Sequence, residues 1–308
     1  MTRSLRTAES FGTDAAVPSA WRTSRVRAAG TTLAAYETGS TATDAQAVLL
    51  LHGLGHWTDA AWGRLIPHLD PALRYVAFDL PGFGASEKPA VRYDRAFFRR
   101  VVGAAAGALH LRRFALVGHS LGGFIAADWA GEHPERTTHL ALIAPAGFTR
   151  SPRHLLYALL ARAAAKPLSS LRPSKRFVER ILHGAVADPA SIDTQHLERA
   201  YELAQDLAVR RAFTGIYASA AETLTSTQAL HADFARYTGP VLCAWGAEDR
   251  YLPIASLGDV VASYGTATTL ILEHSGHLPM LEEPERLGRA LRSLLMTSRI
   301  SEEPEPTA

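Results

Sequence analysis

A single cysteine in 308 residues, Cys243, excludes an internal disulfide framework and fits a reducing, cytoplasmic compartment. It sits inside the apolar run 241–245, the setting of a buried small hydrophobe rather than of a reactive thiol. Long apolar runs are also missing. No stretch approaches the ~20 residues that cross a bilayer, so no integral membrane segment is expected. Residues 1–20 are polar and rich in Ser, Thr and Ala, without the apolar core of a secretory signal. Lysine is scarce, with only Lys88, Lys166 and Lys175, and the net charge is +2. With no block of like charge and no basic–aromatic interleaving, no nucleic-acid partner is expected. There is no internal repeat. What remains is an ordinary globular composition, 47% hydrophobic and 20% charged, on a chain long enough to bury an ample core.

The most informative stretch is Gly118-His119-Ser120-Leu121-Gly122, fed by the apolar run 114–117 and followed at once by an alanine-rich helical pattern. A serine held on a sharp, strained strand-to-helix turn needs neighbours without side chains, because the backbone doubles back over them. That turn raises the Ser120 hydroxyl above the sheet edge and aims the Leu121 amide at the space an attacked carbonyl would fill. The pattern identifies Ser120 as the candidate nucleophile.

The rest of the chain alternates strands and helices. Residues 24–29 and 32–38 read as two antiparallel strands. Residues 47–51 are apolar throughout, as a strand covered on both faces is, 75–78, 114–117 and 138–144 read as further apolar strands, and helical patterns at 60–69 and 94–109 lie between them. This rhythm predicts a mostly parallel sheet with right-handed crossovers, an α/β fold. It breaks over 148–237, where helical patterns at 155–165, 176–183, 193–207 and 210–224 replace strands. It resumes with a strand near 241–245, a helix near 254–263, a strand at 268–272 and a helix near 281–296. The expected division is a flexible leader at 1–22, an α/β core at 23–147 and 238–297, a helical cap at 148–237 and a disordered tail at 298–308.

A serine hydroxyl needs a base to take its proton. Of thirteen histidines, His274 and His277 lie just past the last strand, at the sheet edge expected to carry Ser120. His277, between Gly276 and Pro279 in a loop approaching a helix, is the preferred base, with His274 the alternative. His119 is expected to point away from its neighbour's hydroxyl. The imidazole needs a carboxylate to hold its tautomer. Asp249, in the loop after the penultimate strand, is preferred over its neighbour Glu248 and over Asp79, which is expected to brace its own Pro-Gly turn. The oxyanion would be held by the amides of Leu121 and of Leu54, after His52-Gly53. Tight packing alone accounts for Gly55 better than for Gly53-Leu54. In the insertion, the apolar faces at 155–161 and 203–209 are expected mainly to pack the cap's own core. The twelve Arg/Lys of 148–237 against eight Asp/Glu are either a steering field for anionic substrates or a solvated face.

His52-Gly-Leu-Gly55, Asp79-Leu-Pro-Gly-Phe-Gly-Ala-Ser86, Gly118-His-Ser-Leu-Gly-Gly123, Trp245-Gly-Ala-Glu-Asp249 and Gly276-His-Leu-Pro-Met-Leu-Glu-Glu-Pro284, in that order, resemble the α/β-hydrolase superfamily, in its cap-bearing branch of esterases, lipases, enol-lactonases and carbon–carbon bond hydrolases. The resemblance implies an eight-stranded, mostly parallel sheet flanked by helices, with a helical cap roofing the pocket. It implies a serine hydrolase with a Ser120–Asp249–His277 triad acting on a small-molecule ester, with no metal or organic cofactor. Relatives with an aspartate nucleophile are excluded by Ser120. Lactone opening, carbon–carbon bond hydrolysis and a non-catalytic small-molecule binder are the competing functions. Nothing in the chain specifies an oligomeric state.

Overall fold

Apolar runs become the centre of one sheet. The computed structural model describes residues 21–148, 152–225, 227–265 and 267–297. The expected tail and residues 1–20 of the expected leader lie outside the described residues. Trp21 is already buried against Tyr36, ring centroids 6.2 Å apart, and the first strand opens at the next residue.

The strands are β1 (Arg22–Ala28), β2 (Thr31–Gly39), β3 (Ala47–Leu51), β4 (Arg74–Phe78), β5 (Phe114–His119), β6 (Thr137–Ile143), β7 (Val241–Gly246) and β8 (Thr268–Leu272). They form one sheet in the order β1-β2-β4-β3-β5-β6-β7-β8. β2 runs antiparallel to β1 and β4, and the remaining pairs are parallel. The two-residue side-chain period divides each central strand between two cores. Leu49 and Leu51 of β3, with Phe114 and Leu116 of β5, face one layer; Val48, Leu50, Ala115 and Val117 face the other.

Helices cover both faces. In chain order they are α1 (Thr58–Trp62), α2 (Arg95–Ala108), α3 (Leu121–Glu132), α4 (Pro152–Ser170), α5 (Lys175–Gly184), α6 (Thr194–Gln205), α7 (Leu207–Thr225), α8 (Thr227–Phe234), α9 (Leu257–Tyr264), α10 (Pro279–Glu282) and α11 (Pro284–Leu295). One layer holds α2, α3, α8 and α9, the other α1 and α11. Between α2, α3 and α8, the buried carboxylate of Asp128 receives Arg99 at 2.6 and 2.8 Å and also Arg95, whose other nitrogen reaches Asp233 at 2.7 Å. Each charge is paired, which is what makes burial of Asp128 tolerable.

Four helices differ from expectation, each for a local reason. The helix expected over 60–69 is a short α1 and a separate 3-10 turn at Ile66–His68 carrying Pro67. α4 runs on to Ser170 through a kink at Ala164, ahead of Pro167, whose ring cannot fit against a straight preceding turn. The last helix breaks at Glu283 before Pro284, because the residue before proline is pushed out of helical geometry. α8 was not expected. It packs on α3 and α9, with Phe234 fully buried.

Candidate active site

β5 ends in the elbow. Ser120 has φ 52° and ψ −115°, a region non-glycine residues enter only when their surroundings impose it. Here the neighbours are backbone. The Ser120 amide donates to the Ile143 carbonyl at the end of β6, and its carbonyl accepts from Phe124 and Ala146, each at 3.0 Å. A Cβ on Gly118 would lie 2.3 Å from the Gly122 oxygen, and one on Gly122 would lie 2.0 Å from the Leu51 oxygen. Both glycines are therefore steric necessities. Ser120 is half-buried, and Leu121 is the first residue of α3, where an amide has no intrahelical acceptor.

The loop after β3 presses on this elbow. A Cβ on Gly53 would stand 2.7 Å from His119 Nδ1 and 3.2 Å from the Ser120 Cβ. Tight packing thus explains Gly53, contrary to expectation. Gly55 serves a different need: it has φ 77° in a turn whose His56 amide returns to the Gly53 carbonyl at 3.3 Å. Leu54 is the second residue of that turn, half-buried beside the elbow. His52 is fully buried as a brace, its Nδ1 donating to the Gly53 carbonyl at 2.8 Å and its Nε2 accepting from the Leu80 amide at 2.8 Å. Asp79 is a brace as well. Its carboxylate accepts from the amides of Thr58 and Ala85, both at 2.7 Å, and from the Tyr36 hydroxyl at 3.1 Å.

The structure brings Asp249 and His277 together. His277 Nδ1 donates to Asp249 Oδ2 at 2.7 Å, and Asp249 Oδ1 accepts from the amides of Tyr251 and Leu252 at 2.8 and 2.9 Å. The Asp249 side chain is wholly buried and that of His277 nearly so. Two backbones in contact set this pairing. A Cβ on Gly246 would fall 2.0 Å from the Gly276 oxygen, and the Glu248 amide donates to the Ser275 carbonyl at 3.0 Å. The competitors are elsewhere. Glu248 is half-exposed with Arg250 3.9 Å away, and His274 is exposed.

His277 is adjacent to the elbow. His119 Nε2 donates to the His277 carbonyl at 2.8 Å, and the two rings lie 4.8 Å apart. His119, of which only an orientation away from the Ser120 hydroxyl was expected, fixes the backbone of the candidate base. Its Nδ1 is buried without a partner, and burial, followed by the nearby His277, depresses its pKa well below the ordinary histidine value. The row of rings continues through His56, 6.2 Å from His119, to His196 of α6, a further 5.8 Å away. Burial drives His56 down to about 3 and His196 down to about 4.

Glu282 lies in the last of the matching motifs, where no role was expected of it. Its Oε1 accepts from the amides of Ala187 and Asp188 at 2.7 and 3.0 Å, and its Oε2 from Gly276 at 2.7 Å. The His277 amide itself donates to the Ala185 carbonyl at 2.6 Å. One carboxylate and one peptide thus join the histidine loop to the segment after α5. Cys243 is the buried hydrophobe expected, its thiol pushed up to about 12 by burial.

A strained serine elbow on a mostly parallel sheet, with a buried Asp–His pair in the loops after β7 and β8, defines an α/β hydrolase. Comparison with known proteins agrees: the profile of the alpha/beta hydrolase fold family matches residues 46–284, and the chain belongs to that family. It is 26% identical over 253 residues to the 2-hydroxy-6-oxo-6-phenylhexa-2,4-dienoate hydrolase of Comamonas testosteroni, covering 80% of this chain and 86% of that one. Among solved structures it resembles a bacterial membrane phospholipase A, with TM-score 0.75 and 28% identity over 90% of this chain and 86% of that one. It shares its fold with a putative lipase from Acinetobacter baumannii, with TM-score 0.78 and 22% identity over 90% and 91%. Members of the family are hydrolases, which supports a hydrolytic enzyme. Among the described residues no helix is long and apolar enough to cross a membrane.

Proposed function

We propose that the chain is a serine hydrolase that cleaves a carboxylic ester of a small hydrophobic substrate in the cytoplasm through an acyl-enzyme. The observation that carries the reading is the Asp249–His277 hydrogen bond beside the elbow. With Nδ1–H committed to Asp249, the neutral imidazole keeps its lone pair on Nε2, the tautomer a general base needs. His277 takes the Ser120 proton as Oγ attacks the carbonyl. The amides of Leu54 and Leu121 hold the oxyanion, each donor worth about 3 kcal/mol of barrier. His277 then protonates the leaving alcohol, and water clears the acyl group by the same steps.

The core at 23–147 and 238–297 carries every residue of this machinery, and the proposed cap at 148–237 roofs it. Phe213 of α7 stands over the turn at Gly55, where a Cβ would lie 3.6 Å from its ring, so the cap brings an aromatic side chain to the oxyanion loop. A second reading, carbon–carbon bond hydrolysis by the same three residues, is favoured by the likeness to the Comamonas enzyme. Ser120→Ala decides the common mechanism: it should abolish both turnover of a short p-nitrophenyl ester and labelling by a fluorophosphonate. Undiminished turnover would refute the assignment. A panel of esters, lactones and vinylogous diketones then separates the reactions.

A further inference from the structure

Seven of the twelve exposed large apolar side chains among the described residues lie between Leu156 and Ile181. Leu156, Leu159, Leu160 and Leu168 belong to α4, Leu171 follows it, and Phe177 and Ile181 lie one turn apart on α5. Leu171 is 67% exposed, Leu156 55% and Phe177 54%. These four leucines of α4 do not pack the cap's interior as expected. α4 meets α7 with the small Ala158 and Ala161 buried, while Leu156, Leu159, Leu160 and Leu168 are exposed. That inverts the pattern of a solvated helix, and soluble surfaces seldom carry so much apolar area in one region without a use for it.

The same stretch carries charge of one sign. Residues 152–181 hold seven Arg or Lys against Glu179 alone. Lys175 pairs with Glu198 across to α6. Lys166, Arg172 and Arg176 are exposed, and no ion pair joins them to another described residue. Leucine and phenylalanine interleaved with unpaired cations suit one partner above others, a lipid surface with anionic headgroups. There the apolar side chains enter the acyl boundary while the cations reach up to phosphates.

We infer that the outer face of α4 and α5 docks the protein peripherally on an anionic membrane. The competing occupant is a second copy of this chain. A two-fold contact would set this cationic face against itself, and like charges face to face oppose association. The inference does not depend on the proposed triad.

The test is sedimentation of the purified full chain with phosphatidylcholine vesicles, with and without phosphatidylglycerol. Binding is expected only with phosphatidylglycerol and should weaken as salt is raised. The triple variant Lys166→Gln, Arg172→Gln, Arg176→Gln should lower the partition coefficient about 100-fold, near five-fold for each cation removed. Leu171→Asp with Phe177→Asp should lower it at least about ten-fold. An unchanged melting temperature for each variant shows that the surface, not the fold, was altered. The triple variant removes no apolar contact, so it decides the question even if the aspartate pair fails to fold. Failure to sediment with anionic vesicles, or full binding by the triple variant, overturns the proposal. So does a concentration-dependent doubling of mass in vesicle-free solution that Leu171→Asp with Phe177→Asp abolishes, which would assign the face to a second copy.

Discussion

Asp249→Asn tests the proposed chemistry through one proton. In the native site Oδ1 receives two backbone amides, from Tyr251 and Leu252, and Oδ2 receives Nδ1–H of His277. Asparagine has a single oxygen. Turning its NH2 toward the two amides would leave two buried N–H donors unpaired, at about 1–3 kcal/mol each. Keeping the oxygen there costs only a change of tautomer, since the NH2 then donates to Nδ1 and the ring proton moves to Nε2. At about 4 kcal/mol the second arrangement wins by roughly 10³, so the fraction of enzyme able to deprotonate Ser120 falls by that factor. Loss of the charge that steadies the imidazolium adds to it, giving a fall in kcat on the order of 10⁴. All three hydrogen bonds survive in number, so the melting temperature should drop by only a few degrees. The assay is p-nitrophenyl ester turnover beside a thermal melt, with Glu248→Gln, altered at a half-exposed side chain, as the control expected to match the native enzyme. Turnover of Asp249→Asn within about ten-fold of native would refute the reasoning.

Three further outcomes follow from the same geometry. Glu282→Gln replaces one of two accepting oxygens with a donor facing amides, so the loop carrying His277 should loosen. A displacement of the order of 1 Å costs up to about 10² in kcat, with KM nearly unchanged, and native kinetics would remove Glu282 from the positioning of the base. Gly53→Ala places a methyl 2.7 Å from His119 Nδ1, an overpacking cost of about 1–3 kcal/mol; a melting temperature equal to native would show that the loop yields freely. Acidification should destabilise the fold. Burial holds His52, His56, His119 and His196 below their unfolded pKa near 6.5, so the unfolded chain binds more protons below that pH and stability falls as pH drops from there toward 4. Each contributes up to about 1.4 kcal/mol per pH unit. Asp59, raised to about 6 by burial and by Asp79, has the opposite slope and offsets one of the four. A melting temperature that is flat or rises between about pH 6.5 and 5 would contradict this sum.

The parts legible in the sequence were those that one local rule decides. β3 and β5 read as strands because five and four consecutive apolar residues leave no solvent face, and Gly118 and Gly122 were legible because the elbow tolerates no Cβ. The break at Pro284 and the kink before Pro167 carried local signals too, but helical periodicity on either side masked them. α8 had no such signal, being held by burial of Leu230 and Phe234 rather than by its own pattern. The exposed leucines of α4 were misjudged because apolar spacing reports a face and not what lies against it. His119 and Glu282 depend on partners 158 and 94 or 95 residues away, and nothing local to either residue encodes those contacts.

Those long-range contacts bear on what the insertion does. Its proposed role as a roof would let it be removed without touching the chemistry, yet its backbone holds the loop of the base. Ala185 accepts the His277 amide, Ala187 and Asp188 donate to the carboxylate that also receives Gly276, and the Ile181 carbonyl accepts the hydroxyl of Tyr251, two residues from Asp249. The loops carrying Asp249 and His277 are therefore anchored on the exit of α5. α7 approaches the core elsewhere, with Ala212 close to Gly82, Phe213 close to Gly55 and Gly215 close to Tyr93. Parting the contacts at α5 would strand several amides at once.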